Sequence, residues 1–307
     1  MTEDSTEASE RVRITVPAST ANLGAGFDTL GMALGLYDTV EVGVVEGRPG
    51  TARVEVTGAG EGVVPTDGEH LVVRVLHRTL ERLGVRPPAV EMRCFNSVPH
   101  ARGLGSSAAA IVAGVTAGYH FAGHDVHSER TRAEMVDVAA AEEGHADNVA
   151  ACLLGGLVIA FTAENRYGSV RLEPHPELVP VVLVPESESA THTMRGLLPE
   201  SVPHADAAFT AGRSALVVHA LTCRPDLLHV ATEDRIHQDY REPAMPRSLG
   251  LLRELRNNGV AATVSGAGPT VLALPPTGDI PPGVAVEGFD VLRPGVDRSG
   301  ARVRTVR

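Results

Sequence analysis

A chain of 307 residues with a formal charge of −11 and no basic run would repel a phosphate backbone, which argues against nucleic acid as a partner. All 27 basic residues are arginine, so Schiff-base chemistry and the lysine-bearing phosphate loops of Walker-type NTPases and protein kinases are excluded. An apolar fraction of 43% suffices for a folded core, and the absence of tryptophan argues against a base- or sugar-stacking surface.

Residues 1–10 are acidic and polar and read as a disordered tail rather than a signal peptide, which would open basic and then apolar. Val12, Ile14 and Val16 alternate with Arg11, Arg13 and Thr15 as in a half-buried strand ended by Pro17. A glycine-rich turn, 22–28, separates it from strands expected near 39–45 and 52–57. Helical apolar spacing at Leu71, Val72, Val75, Leu76, Leu80 and Leu83, closed by Gly84, predicts a helix over 69–84. A strand over 89–95 leads through Gly103-Leu104-Gly105-Ser106-Ser107 into a small-residue helix. A second helix is expected at 129–143, a short one before Gly155-Gly156, then strands at LVIAFT and at 180–184. Further on, helices alternate with a strand–glycine loop–strand or helix around Ser265-Gly-Ala-Gly-Pro-Thr270. Strands and helices mix without a βαβα rhythm, so the expected class is α+β. The expected division is a lobe over 11–165 and a second over 166–307. No apolar run reaches membrane-spanning length. Cys94, Cys152 and Cys223 form neither a disulfide framework nor a metal-ligand spacing, and suit a reducing cytoplasm.

Four features could carry chemistry. Gly103–Ser107 opens a helix, where free amides favour an anion and two serines can reach phosphate or metal; a plain capped helix is the other reading. The Ser265–Thr270 loop is either a tight turn or a ligand contact. Asp137, Glu142 and Glu143 precede His145-Ala-Asp147-Asn148, and such carboxylates either hold Mg²⁺ or are simply solvated. Arg195 and Arg241 could clamp a carboxylate or lie in surface ion pairs.

Taken in order, three segments resemble the motifs of the GHMP kinases, a family that works without a Walker lysine. They are Pro17-Ala-Ser-Thr-Ala-Asn22-Leu-Gly-Ala-Gly-Phe-Asp28, Pro99-His-Ala-Arg-Gly-Leu-Gly-Ser-Ser107 and Ser265-Gly-Ala-Gly-Pro-Thr270. The first of these, together with Gly144-His-Ala-Asp-Asn148, is most similar to the homoserine kinase branch. The resemblance spans roughly residues 11–275. It implies a ribosomal-protein-S5-like N-terminal lobe and a ferredoxin-like C-terminal lobe, with ATP, Mg²⁺ and a small hydroxy amino acid between them. It further implies a cytoplasmic enzyme of threonine biosynthesis, in a family where homodimers are common, with no nucleic-acid or membrane partner.

By the same resemblance Pro99, Arg102, Gly103, Leu104, Gly105, Ser106, Ser107, Gly266 and Gly268 would hold ATP. Ser107 and Asp137 would ligate the metal, with Glu143 in reserve. Asn22, Asp28, His145, Asp147 and Asn148 would line the amino-acid pocket, Asp28 facing the ammonium group, while Arg195 and Arg241 would hold the carboxylate. Thr191 would lie near the transferred phosphate, and Asp147 is a candidate general base. Three positions depart from the family pattern: Ala25 between two glycines, the lack of an asparagine near Thr210, and aspartate rather than glutamate at 137. They leave a kinase for a related hydroxy amino acid or small alcohol, or a non-catalytic binder on the same fold, as alternatives.

Overall fold

The computed structural model describes residues 11–188 and 191–306; the expected N-terminal tail lies outside them. The first lobe is built on a seven-stranded sheet. Its strands are β1 (Arg11–Ala21), β2 (Leu30–Val45), β3 (Ala52–Gly58), β4 (Ala89–Asn96), β5 (Leu157–Ala163), β6 (Arg166–Leu172) and, far away in sequence, a C-terminal strand, Arg302–Val306, that pairs with β1. Alternation decides which face is covered. In β4, Val90, Met92 and Cys94 are buried while Glu91, Arg93 and Phe95 face out, as a period of two requires.

Helices α1 (Leu71–Arg82), α2 (Ser106–Phe121), α3 (Glu129–Glu143) and α4 (Asp147–Leu154) pack on the apolar face and form one core with it. The opposite face carries cross-strand ion pairs, Arg13 with Glu41 and Arg93 with Glu55. α3 runs over the residues its sequence predicts, because Ser128 caps its start by accepting from the Thr131 amide and Gly144 ends it in the left-handed region.

The second lobe has α5 (Thr191–Arg195), α6 (His204–Thr222), α7 (Leu228–Ala231) and α8 (Pro246–Asn257) around an antiparallel sheet. That sheet comprises β7 (Val181–Pro185), β8 (Ala261–Val264), β9 (Val271–Leu274) and β10 (Phe289–Leu292) in the order β10-β7-β9-β8; the C-terminal strand is β11. Alternation again sorts the strands. Val181, Leu183, Val271 and Ala273 pack on α8, while Val182, Val184 and Leu272 join α6 and the first-lobe residues Leu30, Met32 and Leu157 in a shared core. This continuous apolar seam fixes one lobe against the other.

The division expected at 165/166 cuts the β5–β6 hairpin, which is antiparallel throughout its length. β6 belongs to the first sheet, and β11 returns to it beside β1. Hydrogen bonding across the hairpin outweighs any break in sequence character there. The second lobe is therefore an insertion between β6 and β11.

α2 contains no charged residue and is buried along most of its length. Its glycines let α1 approach closely: a β-carbon on Gly114 would sit 2.7 Å from the Val72 carbonyl oxygen, and one on Gly118 would sit 2.6 Å from Thr79. Gly114→Ala should therefore lower the urea midpoint of unfolding. Helix propensity would favour alanine by about 1 kcal/mol, but overpacking against a backbone costs about 1–3 kcal/mol. A raised midpoint would contradict the close approach of the two helices.

Candidate active site

Three glycine turns meet where the lobes join. The Ser19 amide donates to the Leu104 carbonyl over 3.0 Å, and the Gly266 amide to the Ala21 carbonyl over 3.1 Å. Asn22 Nδ2 donates to the Gly266 carbonyl at 2.8 Å, and Ser265 Oγ donates to the Gly103 carbonyl at 2.6 Å. Gly103 must be glycine here. Its φ is +75°, and a β-carbon would lie 2.3 Å from the Ser265 carbonyl oxygen.

These turns wall a cavity of about 260 Å³ whose lining draws on both lobes. Of the residues singled out from sequence, it gathers Asn22, Asp28, Arg102 to Ser107, Glu143, His145, Asp147, Asn148, Arg195, Arg241 and Gly266. At one end Gly105, left-handed at φ +69°, caps α2 without a side-chain partner, so the helix presents its first amides beside Ser106 and Ser107. Ser107 Oγ donates to Glu143 Oε1 over 2.5 Å. Burial raises the Glu143 carboxyl above its ordinary range, against the lowering pull of that hydrogen bond and of His145.

The middle of the cavity holds His145 and Asp147. His145 Nδ1 lies 2.7 Å from Asp147 Oδ1, which also accepts from the Asn148 amide. Burial pulls His145 down, but the Asp147 hydrogen bond and the charges of Asp147 and Glu143 outweigh it, and the imidazole ends raised. Asn148 Oδ1 accepts from Ser19 Oγ at 2.9 Å, which ties α4 to β1.

At the far end two arginines converge. Arg195 binds Asp28 through two hydrogen bonds, 2.9 and 2.6 Å, from opposite lobes. Arg241 is 1% exposed, and among the described residues no carboxylate lies within ion-pair distance of it. Its guanidinium donates to His237 Nδ1 at 2.9 Å, and its Nε has no partner. Burial, then the like charge of Arg195, pull its pKa down to about 10, so it remains a cation at neutral pH. A buried cation facing a cavity is arranged for an anionic ligand.

Some of the expected site residues stand outside the cavity wall or spend their side chains on other partners. Asp137, taken as a metal ligand, is not in the cavity wall: it accepts from Arg166 Nε at 3.2 Å and from the Tyr167 amide at 2.9 Å. It precedes Glu143 by six residues, about 240° farther round the helix, so the two cannot share a face. Arg102 borders the cavity, but its guanidinium is fastened to the second lobe through the Pro185 and Glu186 carbonyls and Glu188. Asn22 spends both ends of its amide on the turns, with Oδ1 accepting from the Asp28 amide. Pro99 and Gly268 are not among the lining residues, and Gly268 packs against Gly103. Thr191 begins α5, and its side chain lies outside the described residues.

Other wall residues carry no role in the motif reading. Phe27 lines the cavity beside Asp28, whereas His237, four residues before Arg241 in a bend, lies outside the lining and contacts that arginine. A second cavity of about 430 Å³ adjoins the first at Ala101, Ser106 and Ser107. Its walls are mainly apolar, with Val40, Val64, Val72 and Ala110, and include the buried His70, whose Nδ1 has no partner. Nothing in a motif marks it, because its lining comes from five separate stretches of chain.

Comparison with known proteins agrees with this geometry. Residues 70–156 match the family described as GHMP kinases N terminal domain, and residues 213–284 match GHMP kinases C terminal. A homoserine kinase of Streptomyces coelicolor is 48% identical over 295 residues, covering 95% of this chain and 94% of the relative. One from Rhodococcus erythropolis is 49% identical over 267 residues, 84% of each chain. The crystal structure of homoserine kinase from Cytophaga hutchinsonii superposes with a TM-score of 0.83 at 27% identity, covering 96% of this chain and 97% of that one. Sequence likeness over nearly the whole length and a fold shared across both lobes have one reading: the chain belongs to the GHMP kinase family, among its homoserine kinases.

Proposed function

We propose that the protein transfers the γ-phosphoryl group of ATP to the side-chain hydroxyl of L-homoserine, giving O-phospho-L-homoserine and ADP. The observation that carries this reading is the polarity of the main cavity. Helix amides and hydroxyls suited to phosphate stand at one end, a carboxylate–arginine pair and a buried arginine at the other, and His145–Asp147 lies between.

The amino acid is a zwitterion, and the far end already holds the matching charges. Its ammonium group replaces Arg195 on Asp28, while its carboxylate takes Arg195 and Arg241. The ion pair opened by the substrate is thus re-formed with substrate groups on both sides, which keeps the exchange close to neutral in charge terms. An acid lacking the ammonium group would leave Asp28 unpaired, which disfavours mevalonate-like alcohols.

At the other end the phosphates lie against the first turn of α2, whose amides neutralise charge that develops in transfer. The adjoining, mainly apolar cavity suits the nucleoside. Ser107 and Glu143 supply hard oxygen atoms on the cavity wall and would hold a magnesium ion there. When bound, the ion offsets the negative charge of the phosphate oxygens. In the step itself the homoserine hydroxyl oxygen bonds to the γ-phosphorus, the bond to the ADP oxygen breaks, and the hydroxyl proton leaves. Asp147 Oδ1 is committed to His145 and the Asn148 amide, so Oδ2 is the atom that can orient the hydroxyl or take its proton.

ADP release with Mg-ATP should be robust with L-homoserine and absent with mevalonate. Turnover of mevalonate with none of homoserine would overturn the reading. Arg195→Ala should raise KM for homoserine by at least roughly tenfold, since hydrogen bonds to charged groups contribute about 1.5–3 kcal/mol and this side chain is half-exposed. The KM for ATP should hardly move; equal effects on both would remove Arg195 from the carboxylate end. Glu143→Gln should raise the magnesium concentration needed for half-maximal rate and leave homoserine affinity, measured by calorimetry without nucleotide, as in the parent. A weakened homoserine affinity with an unchanged magnesium requirement would place Glu143 on the wrong ligand.

A further inference from the structure

His237 is fully buried below the amino-acid end of the cavity and bonds to two parts of the site at once. Its Nε2 lies 2.7 Å from the Gly24 carbonyl oxygen, and its Nδ1 lies 2.9 Å from Arg241 Nη1. A carbonyl oxygen can only accept, so the proton is on Nε2. Nδ1 therefore carries the lone pair and accepts from the guanidinium. Two further groups hold the imidazole. The Phe27 ring stacks on it with centroids 4.9 Å apart and planes 20° apart, and the Asp234 carboxylate lies 3.6 Å from Nε2. Asp234 is itself fixed by the amides of Ile236, His237 and Gln238.

Arg241 has little else to direct it. Among the described residues its other hydrogen bond is a long one from Nη1 to the Gly266 carbonyl at 3.4 Å, and its buried Nε is unpartnered. Phe27, 5.8 Å from the guanidinium carbon, constrains position but supplies no acceptor. A planar fork holds a carboxylate well only when its plane is set beforehand. We propose that His237 is a positioning residue for amino-acid binding: by accepting at Nδ1 from Arg241 while donating at Nε2 to Gly24, it orients the Arg241 guanidinium toward the substrate carboxylate. The same ring couples this arginine to the turn that carries Asp28, so the groups for carboxylate and ammonium are set by one side chain. The inference rests on the reading of the far end of the cavity as the amino-acid site.

Two substitutions separate the roles of the ring nitrogens. In His237→Asn the amide oxygen falls near the Nδ1 position and can still accept from Arg241. In His237→Gln the amide nitrogen falls near Nε2, keeping the Gly24 contact but losing the acceptor. The experiment measures L-homoserine affinity by calorimetry without nucleotide, together with KM for homoserine, KM for ATP and kcat, and thermal unfolding of each variant. The expected result is a homoserine Kd and KM raised roughly tenfold or more in His237→Gln and only a few-fold in His237→Asn, with KM for ATP unchanged in both. Equal homoserine affinities in the two variants, or parallel losses in both Michaelis constants that follow the fall in thermal stability, would overturn it. A parent protein that neither binds nor phosphorylates homoserine would overturn the reading of the site itself. A parent that does both, with His237→Gln unchanged, would overturn only the role of His237.

Discussion

The structure depends on three backbone turns pressed together at the seam between its lobes. Ala21–Gly24, Gly103–Gly105 and Ser265–Gly268 exchange hydrogen bonds at distances that leave no room for a β-carbon at Gly103. Side chains could not form such a seam, because they would fill the space in which phosphate must lie. Backbone amides and carbonyls can, and they remain correctly placed only because the apolar core shared by both lobes holds the turns in register.

On that seam the protein manages charge without a single lysine. Its anion-binding groups are of two kinds. Helix amides at the start of α2 form a fixed dipole end, needing no side-chain rotamer, while arginine forks at the other end offer planar, bidentate geometry. The arginines differ in state. Arg195 is half-exposed and satisfied by Asp28, whereas Arg241 is buried and faces the cavity with only neutral partners. A carboxylate entering the site therefore exchanges one ion pair and completes another. The same economy explains why the net charge of −11 does not repel an anionic substrate: the local field is set by groups within a few ångströms, since more distant surface charge is screened.

Much of the local structure was legible in the sequence. The helix expected at 129–143 is α3, and the alternation of Val12, Ile14 and Val16 told which side of β1 is buried. The motif glycines announced turns, and their company identified a family. Asp137 shows where that reading failed. Its distance along the chain from His145 suited a metal ligand, but the helix phase turns it toward β6, where Arg166 and the Tyr167 amide take it. Arg102 lines the cavity as its motif suggests, but what its guanidinium holds there, carbonyls of the other lobe, could not be read from its place beside a phosphate loop.

What the sequence by itself determined is the set of local devices: caps, turns, the period of each strand and the absence of lysine, all of which follow from residue chemistry over a few positions. The tertiary structure alone decided which of those devices share a site. β11 joins the first sheet from the end of the chain, His237 reaches back 213 residues to the Gly24 carbonyl, and Asp28 meets Arg195 across 167. Such partnerships arise because burial of the shared core brings distant segments together, and an energy of that kind belongs to surfaces in contact rather than to any stretch of sequence.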